Sequence, residues 1–331
     1  MPPVHSPVGA HPSQPPRRGR TRTLKRALLT TVVVFLILVI GWPSFLLWDA
    51  NNNLGRIDAL SGASNTPGTT WLLAGSDSRQ DGAVVDDAEG QRADSVVLVH
   101  KASNGQTSMV SLPRDTYVDI PGYGYSKLNA AYSYGGPALL VSTVEALSGL
   151  TVDHYVEIGM GGVTAIVDSL GGIELCLDMD VSDPYSQLNW TAGCHVADGP
   201  TALAFARMRY ADPLGDIGRA QRQRQVISQT VATAMSPSVL LNPWRTLQLE
   251  RAGAKALVVD QDASPFDVGR LLLAFKKAQA DGLTGAPPIE NIGYSTPAGS
   301  AVLLVGETAP DFFAAMRDGT LTVDSFASLN G

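Results

Sequence analysis

The chain has 331 residues, of which 44% are hydrophobic and 17% are charged, and it contains only two cysteines. This composition excludes a wholly disordered chain and a coiled coil, and the length is ample for a buried core. The net charge of −7 is unevenly distributed. Residues 1–48 carry six basic residues and no acid, whereas residues 49–331 carry 18 Lys and Arg against 31 Asp and Glu. Such an acidic main part excludes a general nucleic-acid-binding protein, so no nucleic acid partner is expected.

The N-terminal segment has the pattern of a membrane anchor. Residues 1–26 are rich in Pro and Ser and end in a basic run, which predicts a disordered tail. Residues 27–48 contain no charge, and as a helix they would span about 33 Å, enough to cross a bilayer. The alternative is a cleaved signal peptide, but its apolar core is usually shorter and ends in a small-x-small site. Here Trp42, Pro43 and Trp48 follow instead, which favours an uncleaved anchor with Trp at the outer interface.

The basic tail predicts the orientation of this anchor. Lys and Arg next to a membrane span stay on the cytoplasmic side. We therefore expect a single-pass protein of the cell membrane, with a cytoplasmic N-terminus and with residues 49–331 outside the cell.

The two cysteines agree with this placement. Cys176 and Cys194 are 18 positions apart, both in the part expected outside, where thiols are oxidised. A disulfide between them would close a loop in the unfolded chain and stabilise the folded domain by about 3 kcal/mol. Two buried free thiols are the alternative, and a C-x-x-C metal spacing is absent from the sequence.

The rest of the chain alternates between strand-like and helix-like segments. Residues 49–69 are rich in Asn, Gly and Ser and are expected to be a juxtamembrane linker. Short apolar runs predict strands at 71–74, 95–100, 108–112, 155–158, 172–175, 254–259 and 301–305. Helical spacing predicts helices at 137–147, 161–170, 201–209, 219–235, 266–277 and 309–317. The alternation predicts one domain over residues 70–331, an α/β/α sandwich around a central mixed β-sheet.

Arginines are concentrated in one part of this acidic domain. No Lys or Arg occurs between Lys127 and Arg207, and five arginines then follow within 18 residues: Arg207, Arg209, Arg219, Arg222 and Arg224. On a helix that starts near Gly218, Arg219, Arg222 and Gln223 would share a face. Converging guanidinium groups suit a phosphate or pyrophosphate, and the alternative is a solvated helix face with acidic neighbours.

Acidic residues lie at the predicted strand ends. Asp77, with Arg79, follows the strand at 71–74, and Asp94 comes just before the next strand. Two carboxylates at neighbouring strand ends are a candidate Mg²⁺ site, and the alternative for each is a turn residue. Arg114 and Asp115 follow a third strand.

Several separated motifs, in order, resemble the LytR-CpsA-Psr family of bacterial cell-envelope proteins over roughly residues 70–320. They are LLAGSDSR (72–79), RADSVVLV (92–99), SLPRDTYV (111–118), KLNAAYSYGG (127–136), VDHYVEIGMGGVTAIVDSLGGIEL (152–175) and ARMRYADPLGDIGRAQRQRQVI (206–227). The single anchor helix before the domain also fits this family.

The resemblance implies an enzyme that moves a glycopolymer from a polyprenyl-pyrophosphate carrier to peptidoglycan through a phosphodiester bond and releases polyprenyl phosphate. It implies that Asp77 and Asp94 bind Mg²⁺, for which Mn²⁺ is the alternative ion. It also implies that Asp216 lies at the site and that the pyrophosphate is held by Arg79, Arg114, Arg207, Arg209, Arg219 and Gln223. The predicted catalytic residues are therefore Asp77, Asp94, Arg114 and Asp216, with Asp216 or Asp115 as the candidate base.

Two other functions are compatible with the same residues. A hydrolase would cleave the polyprenyl pyrophosphate without a specific acceptor, and a non-catalytic binder or regulator would only hold the lipid-linked glycan. The sequence does not distinguish the glycopolymers that such a site could accept.

Overall fold

The computed structural model describes Gly9 and residues 20–76, 93–208 and 215–327, without the side chains of residues 20–24, 38, 94, 215–217 and 220. The chain divides into two compact units, residues 1–48 and residues 49–331. Near the N-terminus, α1 (Arg20–Leu36) continues through a π-helical segment (Ile37–Gly41) into α2 (Trp42–Asn53). The helical stretch Lys25–Asn53 is long and apolar enough to cross a membrane. The most apolar 18 residues of this stretch include no residue that is buried against the rest of the protein. The predicted anchor helix is therefore present.

The second unit is built on a seven-stranded mixed sheet. The strands in the described part of the chain are β1 (Gly55–Ile57), β2 (Thr69–Ser76), β3 (Ala93–Lys101), β4 (Thr107–Leu112), β5 (Tyr117–Ile120), β6 (Gly124–Lys127), β7 (His154–Gly159), β8 (Ile173–Leu177), β9 (Val181–Asp183), β10 (Leu188–Trp190), β11 (Gly193–Ala197), β12 (Leu257–Asp260), β13 (Thr284–Gly285), β14 (Ile289–Thr296) and β15 (Gly299–Leu304). The main sheet has the order β1-β12-β7-β2-β3-β4-β13. The pairs β1–β12, β2–β7 and β4–β13 are parallel, and the other three pairs are antiparallel.

Helices cover both faces of this sheet, which confirms the α/β/α sandwich. The remaining helices are α3 (Leu128–Ser148), α4 (Met160–Leu170), α5 (Gly199–Arg207), α6 (Gly215–Ala234), α7 (Pro237–Leu240), α8 (Pro243–Ala256), α9 (Pro265–Ala280) and α10 (Ala309–Asp318). Leu72 on β2 joins a core shared with α3 and α10, while its neighbour Trp71 joins the opposite core with α6 and α9. Because successive side chains point to opposite faces, a strand buried on both sides needs the continuous apolar run that the sequence shows.

A third core includes apolar residues of β8 and β11, the two strands that carry the cysteines of the disulfide. Side chains of α4, α5, α6 and the small strands β8–β10 form this core. Cys176 on β8 lies directly opposite Cys194 on β11, and the two are bonded, as predicted.

Among the features that differ from, or add to, the sequence expectations are β1, the start of β12 and the start of α8. The expected linker 49–69 contributes β1, which pairs with β12 about 200 residues away. The strand predicted at 254–259 begins only at Leu257, since α8 runs to Ala256. Asn242 caps this helix through the main-chain N–H groups of Trp244 and Arg245, with Pro243 in the first turn, a start signal that the expected elements did not include.

Candidate active site at the strand ends and the α5–α6 helices

Three strand ends meet at one edge of the main sheet. β2 ends at Ser76 opposite Ala93, the first residue of β3, and Val96 of β3 pairs with Leu112, the last residue of β4. The register shifts between Gly75 and Ser76, next to the position of Asp94 on β3. The structure therefore brings the start of β3 to the point where β2 ends. Asp77 follows Ser76 in the chain but lies outside the described residues.

The loop after β4 is a compact turn that carries Arg114. The Thr116 hydroxyl donates to the carbonyl of Pro113 at 2.6 Å, which closes the turn. The start of α3 binds the same loop, since the Asn129 N–H donates to the Arg114 carbonyl at 2.9 Å. Asp115 lies between two cations, with Arg114 Nε at 3.6 Å and Lys127 Nζ at 3.2 Å. The half-buried Arg114 guanidinium is thus held at the same sheet edge as Ser76.

A buried carboxylate lies in the sheet next to this edge. Glu157 on β7 pairs with Ala74 on β2, two residues before the strand ends. Its two oxygens accept hydrogen bonds from the hydroxyls of Tyr132 and Tyr155, both at 2.8 Å. Burial and the charge of Glu157 raise the pKa of both tyrosines, so they stay protonated and remain donors. This network connects α3, β7 and the end of β2, and the sequence analysis did not identify it. The only signal was a single acid in the apolar run HYVEIG.

Helix α5 positions Arg207 at its C-terminus. The Asp198 carboxylate accepts from the Thr201 N–H at 2.9 Å and caps the helix start. Asp168 of α4 accepts from the Gly199 N–H at 2.7 Å. At Gly199 a Cβ atom would collide with the Thr164 carbonyl, so the close contact of α4 and α5 requires glycine. Arg207 is half-buried in the last turn of α5.

The arginines of α6 have different environments, although the sequence groups them together. Arg222 is buried, and its Nε donates to the Phe205 carbonyl at 3.1 Å. Its second guanidinium nitrogen donates to the Met208 carbonyl. Arg222 thus holds the end of α5 against α6, which sets Arg207 relative to α6. Burial lowers the pKa of Arg224.

The predicted site residues fall into two groups. Arg114 and the backbone of Asp94 share the sheet edge where β2 ends, while Arg207, Arg219 and Gln223 lie on α5 and α6, with the backbone of Asp216 in the first turn of α6. Asp77, Arg79 and Arg209, and the side chains of Asp94 and Asp216, lie outside the described part of the chain. Among the described residues there is no cluster of three or more His, Cys, Asp or Glu side chains that could hold a metal ion. The Mg²⁺ site at Asp77 and Asp94 therefore stays a prediction, based on carboxylate oxygens as the donors that this ion prefers.

Known proteins share both the sequence and the fold of this chain. A sequence profile of the LytR_cpsA_psr family matches residues 49–263. A Corynebacterium glutamicum protein named probable cell wall biosynthesis protein LcpB is 39% identical over 270 residues, which cover 78% of this chain and 63% of that protein. An Enterococcus faecalis protein named polyisoprenyl-teichoic acid–peptidoglycan teichoic acid transferase TagU is 34% identical over 268 residues, or 77% of this chain and 85% of that protein. The chain therefore spans slightly less than two thirds of the first relative and most of the second.

A solved structure shows the same architecture. The LytR-Csp2A-Psr enzyme from Actinomyces oris superposes with a TM-score of 0.65 at 27% sequence identity. The match covers 80% of this chain and 95% of that structure. The sandwich described above is therefore shared with an enzyme of known structure.

Proposed function

Because this chain belongs to the LytR-CpsA-Psr family, we propose that it is a membrane-anchored transferase of cell-wall assembly. It moves a glycopolymer from a polyprenyl-pyrophosphate carrier to peptidoglycan and releases polyprenyl phosphate. The observation that carries this proposal is the family match over residues 49–263, a segment that includes the sheet edge with Arg114 and the Arg222-linked helices with Arg207 and Arg219. The substrate pair follows the name of the TagU relative, which specifies transfer of teichoic acid to peptidoglycan.

The reaction exchanges one phosphorus–oxygen bond for another. A hydroxyl oxygen of peptidoglycan attacks the phosphorus that is bonded to the glycan. The bond from that phosphorus to the bridging oxygen breaks, and the electron pair leaves with polyprenyl phosphate. The hydroxyl proton passes to a carboxylate, for which Asp216 and Asp115 are the candidates. The products are a glycan–phosphate–peptidoglycan diester and polyprenyl phosphate.

The arginines serve this reaction by binding charge. Planar guanidinium groups at Arg207, Arg219 and Arg114 match pairs of phosphate oxygens, with Gln223 as an additional donor. In phosphoryl transfer, positioning and neutralisation of the transferring group supply most of the rate enhancement. We expect Asp77 and Asp94 to bind Mg²⁺, or Mn²⁺ in its place, which neutralises phosphate charge when bound.

The location follows from the anchor helix. We propose that the N-terminus is cytoplasmic and that the domain lies outside the cell membrane, because the basic residues precede the apolar helix. A tethered domain meets a lipid-linked donor in the same bilayer.

The test uses the full chain in nanodiscs with a synthetic polyprenyl-pyrophosphate saccharide and peptidoglycan fragments. Mass spectrometry should detect the glycan–phosphate–peptidoglycan product with Mg²⁺, but not with EDTA and not with Asp94→Ala. Free glycan phosphate as the sole product, with acceptor present, would identify a hydrolase instead. Tight lipid binding without any turnover, together with full function of Asp77→Ala in cells, would identify a non-catalytic binder.

A further inference from the structure

Five exposed or half-buried tyrosines lie on and around the β5–β6 hairpin, which adjoins the candidate site. Their rings form two clusters, one of Tyr117, Tyr125 and Tyr294 and the other of Tyr123 and Tyr134. The five together are called the tyrosine face. The ring centroids of Tyr123 and Tyr134 are 5.0 Å apart and stacked, those of Tyr117 and Tyr125 are 5.5 Å apart, and those of Tyr117 and Tyr294 are 6.1 Å apart. Four of the side chains are 40–67% exposed, namely Tyr123, Tyr125, Tyr134 and Tyr294. Contiguous exposed apolar patches are uncommon on soluble domains, and where they occur they mark interaction surfaces.

The fold of the β5–β6 hairpin directs these rings outward. Val118 and Ile120 of β5 are buried in the core under α3. The alternating residue Tyr117 therefore lies on the other face of the hairpin, with Tyr125 diagonally across from it on β6. Core packing is already supplied by the aliphatic residues, so packing does not account for the exposed aromatic rings.

The tyrosine face is continuous with the candidate site. Tyr117 lies directly opposite Lys127 in the hairpin register. Lys127 binds Asp115 at 3.2 Å, and Asp115 lies 3.6 Å from the Arg114 guanidinium. A chain molecule lying on the tyrosine face would therefore extend to the sheet edge where transfer is proposed.

The chemistry of the surface selects its ligand. A tyrosine ring offers an apolar face to the C–H face of a sugar ring, and its hydroxyl binds the sugar's polar rim. Asp119, exposed on the same hairpin face, disfavours a polyanion, and the Lys127 charge is paired with Asp115. These features fit a saccharide chain without phosphate groups better than a phosphate-rich polymer or an anionic membrane surface.

We propose that the tyrosine face binds the glycan strand of the acceptor peptidoglycan and guides its hydroxyl to the sheet edge. This inference rests on the proposed function, because the acceptor is the second substrate of that reaction. It adds a binding site for the acceptor, on the β4 side of the edge.

The test measures binding of soluble, uncross-linked peptidoglycan strands to the full chain in nanodiscs by isothermal titration calorimetry. Tyr125→Ala should weaken binding about tenfold, and Tyr123→Ala combined with Tyr125→Ala should weaken it further. Tyr125→Phe keeps the ring and should retain most of the affinity, whereas Tyr125→Leu should not. Tyr185, which is 75% exposed elsewhere on the domain, provides the matched control: Tyr185→Ala should bind like the wild type.

Three outcomes would overturn the inference. One is unchanged affinity for peptidoglycan strands in the folded double variant. Another is a double variant that loses binding to poly(glycerol phosphate) teichoic acid but still binds peptidoglycan strands. That result would assign the tyrosine face to the donor glycopolymer. The third is loss of binding to empty lipid vesicles instead, which would assign the face to the membrane.

The design separates this inference from the proposed function. Binding is measured without the lipid-linked donor, so an inactive transferase can still bind the acceptor strand. In the transfer assay, the tyrosine variants should raise the KM for peptidoglycan and leave the affinity for the lipid donor unchanged. Transfer with an unaltered acceptor KM would reject the tyrosine face and leave the transferase in place.

Discussion

Arg222 of α6 donates a hydrogen bond from Nε to the carbonyl oxygen of Phe205, 3.1 Å away in the last turn of α5. A second donor of the same guanidinium binds the carbonyl of Met208. Carbonyls at a helix C-terminus have no partner within the helix, and a buried arginine satisfies them at two points. Arg222 therefore has a structural role, unlike Arg207 and Arg219, which are predicted to bind the substrate.

Replacing Arg222 with Met should destabilise the domain by about 2–3 kcal/mol, because two buried carbonyls lose charged donors. Urea denaturation of the full chain, followed by tryptophan fluorescence, measures this change. Arg224→Met is the matched control on the same helix. In the described part of the chain Arg224 forms no hydrogen bond or ion pair, and burial lowers its pKa. Its replacement should leave the stability unchanged or slightly increase it. Equal losses for both variants would contradict the assigned roles.

Gly199→Ala should separate α5 from α4. The new methyl group would meet the carbonyl and side chain of Thr164, so the helix start must shift. We expect a loss of about 1–3 kcal/mol in unfolding free energy and weaker binding of inorganic pyrophosphate, since Arg207 is carried by α5. Gly253→Ala is the control, because a Cβ atom there meets nothing within 4 Å. Wild-type stability in Gly199→Ala would show that the two helices are not in tight contact.

The disulfide should stabilise the domain by about 3 kcal/mol, as expected for a closed loop of this length. Dithiothreitol should lower the melting temperature of the wild type. The variant with both Cys176→Ser and Cys194→Ser should melt at the lower temperature and should not respond to the reductant. A wild type that is insensitive to the reductant would mean that the bond contributes little to the stability of this hairpin.

Glu250 on α8 should make the stability depend on pH. Burial, and then the charge of Asp49, raise the pKa of Glu250 from 4.5 to about 7. Between these two values the folded protein holds a proton that the unfolded chain has released, so stability falls as pH rises from 4.5 to 7. Above pH 7 the stability stays lower by the full cost of ionising Glu250 in the folded protein. Because the side chain is partly exposed, we expect this cost to be about 1 kcal/mol.

Glu250→Gln should therefore be more stable than the wild type at pH 8 and equally stable at pH 4. Melting temperatures at the two pH values measure the difference. Glu290→Gln, which makes the same substitution at an exposed position on β14, is the control. A gain for Glu250→Gln that is the same at both pH values would exclude the titration as its cause.

Much of the fold is predictable from local pattern. The uncharged stretch 27–48 predicts a helix long and apolar enough to cross a membrane, and the structure has that helix. The apolar runs at 71–74, 95–100 and 108–112 all lie inside strands of the main sheet. The helix predicted from Pro137 corresponds to the second half of α3. The helix there breaks at Gly136, whose φ of 65° suits glycine and few other residues. Periodicity, proline and glycine report local backbone preferences, so these features need no knowledge of distant residues.

The candidate site is less predictable, because its residues are related by contacts distant in sequence. The arginine-rich motif predicts a region that binds anions, but helical spacing assigns Arg222 to the same face as Arg219. Only the packing of α5 against α6 shows that Arg222 binds the Phe205 carbonyl instead. The Glu157 network likewise depends on the register of β7 beside β2 and on a tyrosine from α3.

The sequence alone therefore determined the long apolar N-terminal helix, the alternation of strands and helices, and the motifs of the family, since each depends on neighbouring residues. The tertiary structure decided which cations are structural and how β1 joins the sheet beside β12. It also decided that five tyrosines from β5, β6, α3, β14 and the turn between β5 and β6 form two ring clusters around one hairpin. Tyr117 and Tyr294 are 177 residues apart in the chain, and their rings come within 6.1 Å only because the β14–β15 hairpin packs beside β5. Contacts of this kind arise from burial of the whole core, which no single segment of the sequence specifies.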